Sequence, residues 1–519
     1  MLNNYFIHKT KKGTWGRIIL LTGALFAFIE WSSNDGISIV VGYGLFAFGV
    51  LLLFIRARWG ILLFFAVCLL STDTRSVTAT EGLVSVHTIS IGGFSLMVIW
   101  TLLVLFVLLL MFLHRGFFPN KAENYFDRGL IYLGGLFICA SLVGIGNLIE
   151  NPRMYISDLS YFINMAVAYF AVRLFFRGEK DLNILVILLV CCIGVRAIAG
   201  MVYYLLGFGA ISPHVVKPVM DSSRNLFHFL PILAIAVLYF RGIYPSTKNV
   251  LLVFAIVGTA NVLFYASRGN LILLTISIIL LSFILAQPGC KNTEVFQKLR
   301  KISFPIFVLI LFVIVLMHYY RPGSLNYVWW KMRSTIEIDY IREISSAGVR
   351  WLEAENIVAY LWHNGTILWG QGLGGWFVDD YIPFATELLG GWAFPDEWIL
   401  QNKLYKPHGS QLWVLLKMGV LGTFVYFGIL LWIFVKGWNL TRHIDRVYWR
   451  AISSASVVFL LTLYYKNFTS KLQIFLGILL GIIANIYFLH YRGKASNDWM
   501  RRSFYFVSSP QRTIERIYH

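Results

Sequence analysis

The feature that most constrains this chain is the repeated occurrence, from end to end, of apolar runs about 20 residues long. A helix of that length crosses the hydrocarbon core of a bilayer, where only helices and closed barrels satisfy their backbone polar groups. The chain is 58% hydrophobic and 13% charged, whereas a soluble domain is about 25% charged. We therefore predict an all-α polytopic membrane protein.

The apolar runs predict about fourteen transmembrane helices. They lie near 16–31, 37–55, 59–71, 94–113, 129–149, 161–176, 182–207, 226–240, 249–267, 270–287, 304–320, 409–435, 451–465 and 472–489. This division predicts a transmembrane bundle over 1–320, a long loop over 321–408, further transmembrane helices over 409–489 and a basic tail over 490–519.

Basic residues fix the expected orientation. The short loops "FIRARW", "FFRGEK", "CKNTEVFQKLRK" and "VKGWNLTRHIDRVYWR" all fall on one side of the predicted membrane. Lysine and arginine favour the cytoplasmic side, so both termini are predicted to be cytoplasmic and the 321–408 loop external. The net charge of +19 then reflects basic loops facing anionic lipid rather than a nucleic-acid partner.

Two arginines and one histidine are candidate site residues on the external side. Arg268 lies in "FYASRGNLILL", between two apolar runs too long for one helix, where it either binds an anion or extends its charged end to the interface. Arg350, in "SSAGVRWLEAENI", begins a predicted loop helix and is either an anion ligand or a solvated partner of Glu353 or Glu355.

His408 stands in "YKPHGSQLWVLLKMGVLG", at the external mouth of a predicted transmembrane helix. If that helix is regular, His408, Gly419 and Gly422 share one face, and the glycines leave room for a neighbouring helix beneath the histidine. The alternative is ordinary helix packing with an incidental histidine.

Four further residues are possible substrate ligands. Arg196 lies within a predicted span, where an ionisable residue is a functional candidate. His214, Lys217 and Arg224 lie in the external segment "GAISPHVVKPVMDSSRN". Together with Arg268, Arg350 and His408, these residues are predicted to form a cationic pocket on the external side. Guanidinium groups make charge-assisted bidentate contacts, so a pocket of this kind suits a diphosphate. "WGQGLGGWF" is interpreted as a tight turn, because it lacks the context of a nucleotide-binding loop.

With "YASRGNLI", "GVRWLEAENIVAYLWHNGTILWGQGLGGWF" and "HGSQLWVLLKMGVLG" in this order, the chain resembles the O-antigen ligase and O-antigen polymerase superfamily over about residues 249–435. The family often has asparagine after the histidine, where this chain has Gly409. The resemblance implies a GT-C type membrane glycosyltransferase that builds or attaches surface polysaccharide, such as O-antigen, at the periplasmic face of the bacterial inner membrane.

The family further implies a donor saccharide on undecaprenyl diphosphate and an acceptor that is either another saccharide or the lipid A–core of lipopolysaccharide. By the same resemblance, Arg268 and Arg350 bind the diphosphate, and His408 activates the acceptor hydroxyl. The expected reaction inverts the anomeric centre, needs no metal or other cofactor, and involves membrane lipids but no nucleic acid. A flippase or transporter of lipid-linked saccharide is the alternative class.

Overall fold

A computed structural model of the chain describes residues 14–33, 38–71, 90–91, 94–115, 125–206, 210–212, 215–216, 225–239, 243, 245–264, 268–285, 308, 311–312, 315, 319, 346–382, 394, 396–461, 466 and 468–507. The predicted span near 304–320 lies largely outside these ranges. His214, Lys217 and Arg224 lie entirely outside them.

The described residues are almost wholly helical. The helices are α1 (Thr14–Ser33), α2 (Ser38–Ile55), α3 (Ala57–Leu70), α4 (Leu96–Arg115), α5 (Tyr125–Val143), α6 (Ile145–Glu150), α7 (Pro152–Phe175), α8 (Glu179–Leu206), α9 (Phe229–Tyr239), α10 (Pro245–Phe264), α11 (Arg268–Leu285), α12 (Ser346–His363), α13 (Asp396–Leu400), α14 (Ser410–His443), α15 (Val447–Phe459) and α16 (Ser470–Val507). Two short antiparallel hairpins pair β1 (Ser90–Ile91) with β2 (Phe94–Ser95) and β3 (Ala210–Ser212) with β4 (Val215–Val216).

Seven of these helices, α4, α5, α7, α8, α10, α14 and α16, are long and apolar enough to cross a membrane. Shorter apolar helices lie within α1, α2, α3, α9 and α11. Large apolar side chains such as Phe106, Leu113 and Phe424 point away from the bundle, as lipid-facing residues do. The chain is therefore a polytopic helical membrane protein, as predicted.

Several predicted boundaries are wrong for local reasons. The run near 129–149 is not one helix, because the chain breaks at Gly144 between α5 and α6. Helix α7 begins at Pro152 rather than near 161, since the Asn151 side chain caps its first turn by accepting a hydrogen bond from the Met154 N–H (3.2 Å). The helices α14 and α16 both continue beyond their apolar runs, to His443 and Val507.

The helices α7 and α16 make the most extensive helix–helix contact in the described part of the bundle. A Cβ built at Gly477 of α16 would lie 2.2 Å from the carbonyl oxygen of Met165 in α7. On the same interface Arg173 donates to Asp127 of α5 (3.2 Å) and to the Asn485 side chain (2.6 Å). Small residues allow this approach, and the polar network lets a charged residue lie inside the bundle.

Aromatic contacts show which helices begin at the same end of the bundle, called here the head end. Trp413 at the start of α14 packs against Phe468, just before α16, with ring centroids 4.5 Å apart. Phe229 at the start of α9 lies 5.2 Å from Phe475 in α16. A Cβ built at Gly258, late in α10, would lie 2.9 Å from the Phe227 carbonyl oxygen just before α9, so α10 runs antiparallel to α9 and ends near the head end. Helix α11 follows after three residues and therefore also begins there, with Arg268.

Candidate active site

A histidine and a buried glutamate form the centre of the candidate site. His408 immediately precedes Gly409, whose carbonyl accepts the first backbone hydrogen bond of α14 from Trp413 (2.9 Å). The imidazole Nδ1 of His408 lies 2.5 Å from Oε1 of Glu353 on α12, and the His408 backbone N–H donates to Oε2 (3.1 Å). One carboxylate therefore holds both the ring and the main chain of the histidine.

Burial separates the roles of these two side chains. The Glu353 side chain is fully buried, with 0% of its surface exposed, whereas 27% of the His408 side chain is exposed. The ring of Phe394 meets the imidazole edge-to-face, with centroids 5.1 Å apart. A fully buried carboxylate therefore orients a histidine whose side chain is partly accessible from outside the protein.

The contact with Glu353 favours one tautomer of the imidazole. When the carboxylate is ionised it only accepts hydrogen bonds, and Nδ1 then carries the proton that lies toward Glu353. In the neutral ring, Nε2 is then the nitrogen that can accept a proton. This arrangement is that of a general base held in one orientation by a buried carboxylate.

A small apolar core keeps α12 in place beside His408. It contains Ile357, Leu361, Phe377, Phe394, Leu404 and Leu416. The fully buried Asn356, next to Glu353 on the inward side of α12, donates to the Ile382 carbonyl (2.8 Å) and accepts from the Ile382 N–H (3.0 Å). Both buried polar groups of the helix therefore have specific partners, as buried polar groups require.

The glycine-rich turn (residues 366–377) packs against a break in α14. At Gly419 the backbone leaves the helix with φ 65° and ψ −170°, and a Cβ there would lie 2.4 Å from the Leu368 carbonyl carbon. The N–H groups of Val420 and Leu421 donate to the carbonyls of Ile367 (2.9 Å) and Leu368 (3.1 Å) instead of to their own helix. The prediction that Gly419 makes room for a neighbouring helix is therefore wrong.

The same turn also meets the broken end of α5. The Leu373 N–H donates to the Ala140 carbonyl (3.1 Å), and the Gly372 N–H donates to the Lys417 carbonyl in α14 (3.0 Å). A Cβ at Gly372, where φ is +72°, would lie 2.1 Å from the Gly144 nitrogen. The turn thus satisfies backbone groups that two interrupted helices leave open, which non-helical backbone within a membrane bundle requires.

A buried ion pair fastens the turn to the bundle. Lys417 of α14 lies 2.8 Å from Asp158 of α7, and both side chains are almost completely buried. The Lys417 ammonium also donates to the Gly375 carbonyl (2.5 Å), while Asp158 accepts from the Gly374 N–H (2.8 Å) and the Trp413 indole (3.3 Å). Every polar group of this cluster therefore has a partner.

Lys406 adds a positive charge two residues before His408. Its ammonium donates to the Ser157 hydroxyl (2.9 Å) and lies 5.5 Å from the centre of the Tyr161 ring. Burial alone would lower the pKa of Lys406, but nearby Tyr161 and Asp158 outweigh burial and raise that pKa above its ordinary value. The residue therefore stays protonated at neutral pH.

The other predicted site residues have different positions. Arg350 is exposed on α12, one turn before Glu353. Arg268 is the first residue of α11 at the head end, and only its backbone is described. Arg196 is buried in α8 with its guanidinium 5.5 Å from the centre of the Phe26 ring. The described residues thus bring His408 and Glu353 together, and they leave Arg196 as a separate feature.

Sequence reasoning missed Glu353 as a partner of His408. It was considered only as an ion-pair partner of Arg350, with Glu355 as the alternative. Glu355 instead accepts a hydrogen bond from the Trp351 indole (2.7 Å). The available signal was a glutamate on the helix face that also carries Ile357 and Leu361, but several other acidic residues share that loop.

No protein-family model matches the chain, and comparison with curated proteins gives no match either. The resemblance to O-antigen ligases and polymerases therefore rests on the three motifs alone.

Proposed function

We propose that the chain is a metal-independent, inverting glycosyltransferase of the GT-C type in the bacterial inner membrane. Its donor is a saccharide on undecaprenyl diphosphate, and it works as a polysaccharide polymerase or as a ligase onto lipid A–core. The observation that carries the proposal is the pairing of buried Glu353 with partly exposed His408. This pair supplies an oriented base, which transfer to a hydroxyl requires.

The proposed step uses the free nitrogen of the histidine. His408 Nε2 takes the proton of the acceptor hydroxyl while the hydroxyl oxygen forms a bond to the anomeric carbon. The bond from that carbon to the diphosphate oxygen breaks, and its electron pair leaves with the diphosphate. Because attack occurs opposite the leaving group, the anomeric configuration inverts.

Cationic groups would stabilise the leaving diphosphate. Arg350 on α12 and Arg268 at the start of α11 are the proposed ligands, by the family resemblance. Lys406 lies two residues from His408 and adds charge on the same stretch of chain. One well-placed donor of this kind contributes about 3–4 kcal/mol to a transition state that gains negative charge.

The proposal includes a topology of about fourteen spans. Both termini are cytoplasmic, so the head end with His408 and the start of α11 is periplasmic. At the opposite end Arg446 pairs with Glu179, and Arg58 pairs with Asp181. This basic end would face the anionic inner leaflet.

The test uses purified protein in vesicles with undecaprenyl-diphosphate saccharide. We expect His408→Ala to abolish transfer, whereas the matched variant His363→Ala, which changes an exposed histidine at the end of α12, retains it. Full activity of His408→Ala would refute the assignment. Growth of the donor into a ladder indicates a polymerase, and transfer only with added lipid A–core indicates a ligase.

Metal dependence provides a second arm of the same experiment. Activity should persist in EDTA, and a requirement for Mg²⁺ or Mn²⁺ would contradict the metal-independent mechanism.

A flippase or transporter of lipid-linked saccharide is the second candidate. Arg196, a buried ionisable residue within a predicted span, is the observation that favours it. Movement of the labelled donor across the vesicle membrane, unaffected by His408→Ala and abolished by Arg196→Ala, would support the transporter.

A further inference from the structure

The loop helix α12 leaves much of its apolar face exposed. The spacing of Trp351, Ala354, Val358 and Leu361 predicts that these residues share one face of an amphipathic helix. Leu361 is buried, but Trp351 and Val358 are exposed together with Trp362, whereas Glu353 is buried. In an ordinary surface helix the charged residues face solvent and the apolar ones face the core.

Three of the exposed residues form a stripe along α12, and two more follow in the next turn. At about 100° per residue, Trp351, Val358 and Trp362 fall within about 40° of one another, opposite Glu353. The chain then passes directly into the glycine-rich turn, where Leu368 and Trp369 are also exposed. We call these five residues the aromatic stripe. About 70% of the Trp362 side chain and 52% of the Trp369 side chain are exposed.

The aromatic stripe continues into the outer surface of the transmembrane bundle. The Leu368 carbonyl accepts a hydrogen bond from the Leu421 N–H of α14 (3.1 Å). Leu421, Phe424 and Val425 are all exposed on that helix, and Phe424 is 75% exposed. Because α14 is one of the helices able to cross a membrane, these side chains face lipid.

We propose that the aromatic stripe binds the interfacial layer of the same bilayer, so that α12 lies along the membrane surface. Tryptophan is enriched at this depth, and amphipathic helices lie there with their apolar face toward the acyl chains. Arg350 and Glu355, which flank the stripe at its N-terminal end, would remain among the headgroups. The opposite face of α12, with Glu353, turns toward the protein and His408.

Continuity with the lipid-facing surface favours lipid over a second protein. The stripe joins the exposed apolar surface of α14 at Leu421. A protein partner on the stripe would therefore have to cover Leu421 and Phe424 within the bilayer as well, or end at the boundary between the stripe and the lipid. The proposal concerns membrane contact alone, and it stands or falls independently of the proposed glycosyltransferase activity.

Nitroxide labels at single cysteines test the proposal in vesicles of phosphatidylethanolamine and phosphatidylglycerol without substrate. The labelled variants are Val358→Cys and Trp362→Cys, made with Cys139 and Cys290 replaced by alanine. Phe424→Cys serves as the lipid-facing control, and Asp380→Cys, at an exposed polar residue of the same loop, serves as the aqueous control.

The measurement compares the accessibility of each label to oxygen, which concentrates in lipid, with its accessibility to a water-soluble nickel chelate. We expect both stripe positions to favour oxygen, with a depth between those of Phe424→Cys and Asp380→Cys. Preference for the nickel chelate, as at Asp380→Cys, would overturn the proposal. Exclusion of both reagents would also overturn it, because the stripe would then be covered by protein.

Discussion

The substitution Glu353→Gln distinguishes an orienting role of Glu353 in catalysis from a purely structural role. The amide has nearly the same shape as the carboxylate, which makes two contacts with His408, at Nδ1 (2.5 Å) and at the backbone N–H (3.1 Å). The amide oxygen can still accept from the backbone N–H. Its NH₂ group can then only donate, so Nδ1 must become an acceptor and the ring proton must move to Nε2.

This change of tautomer predicts loss of activity without loss of fold. General-base catalysis contributes typically 10²–10⁴-fold to a rate. In serine-protease triads, the corresponding change leaves the geometry intact and lowers kcat about 10⁴-fold. Replacing charge-assisted hydrogen bonds by neutral ones should cost about 1–2 kcal/mol of stability, because the former contribute about 1.5–3 and the latter about 0.5–1.5.

The assay is transfer from undecaprenyl-diphosphate saccharide, with kcat and KM measured separately and apparent Tm measured in detergent. We expect a fall in kcat of at least about 100-fold with KM nearly unchanged. Glu355→Gln on the same helix is the matched control, because Glu355 contacts Trp351 rather than the site. Normal kcat in Glu353→Gln would refute the orienting role, and a large fall in apparent Tm would indicate a structural role instead.

Three further predictions concern the framework of the site, each measured as apparent Tm in detergent. Gly370→Ala should be strongly destabilising, because φ is +75° and a Cβ would lie 2.5 Å from the Gly419 nitrogen. An unchanged Tm would contradict the close packing of the glycine-rich turn against Gly419. Gly409→Asn should be tolerated and raise the free energy of unfolding by a few tenths of a kcal/mol, since this N-cap position has extended backbone and no side-chain cap. A lower Tm would contradict the assignment of residue 409 as the N-cap. Lys417→Met should cost about 3–5 kcal/mol, and adding Asp158→Asn should recover part of it, whereas a double variant worse than the single one would contradict the buried pair.

The spans could be predicted because apolar length is a local property of the chain. The helices α4, α8 and α10 follow their apolar runs within a few residues. Their breaks could not be predicted in this way. Gly144 and Gly419 are ordinary residues of apolar runs until the turn that packs against both of them is known.

The candidate site was predictable only in part, for the same reason. His408 was identifiable from its position at the mouth of a predicted helix. Its partner Glu353 lies 55 residues earlier, on a helix that buries this carboxylate while leaving Trp351 and Val358 exposed. Periodicity identifies an apolar stripe, but it cannot tell whether protein or lipid will cover that stripe.

The glycine-rich turn also sets how long earlier parts of the bundle wait for their contacts during synthesis. The Asn147 side chain binds the Leu373 carbonyl, and these residues are 226 positions apart. At about 5–20 residues per second, the ribosome needs on the order of ten seconds or more to supply the partner of a helix end that is already made. Until then the end of α5 lacks its final contacts, and the Asp158 carboxylate lacks Lys417. A chain cut short before the turn would therefore keep unsatisfied polar groups inside the bundle, at Asn147 and at Asp158.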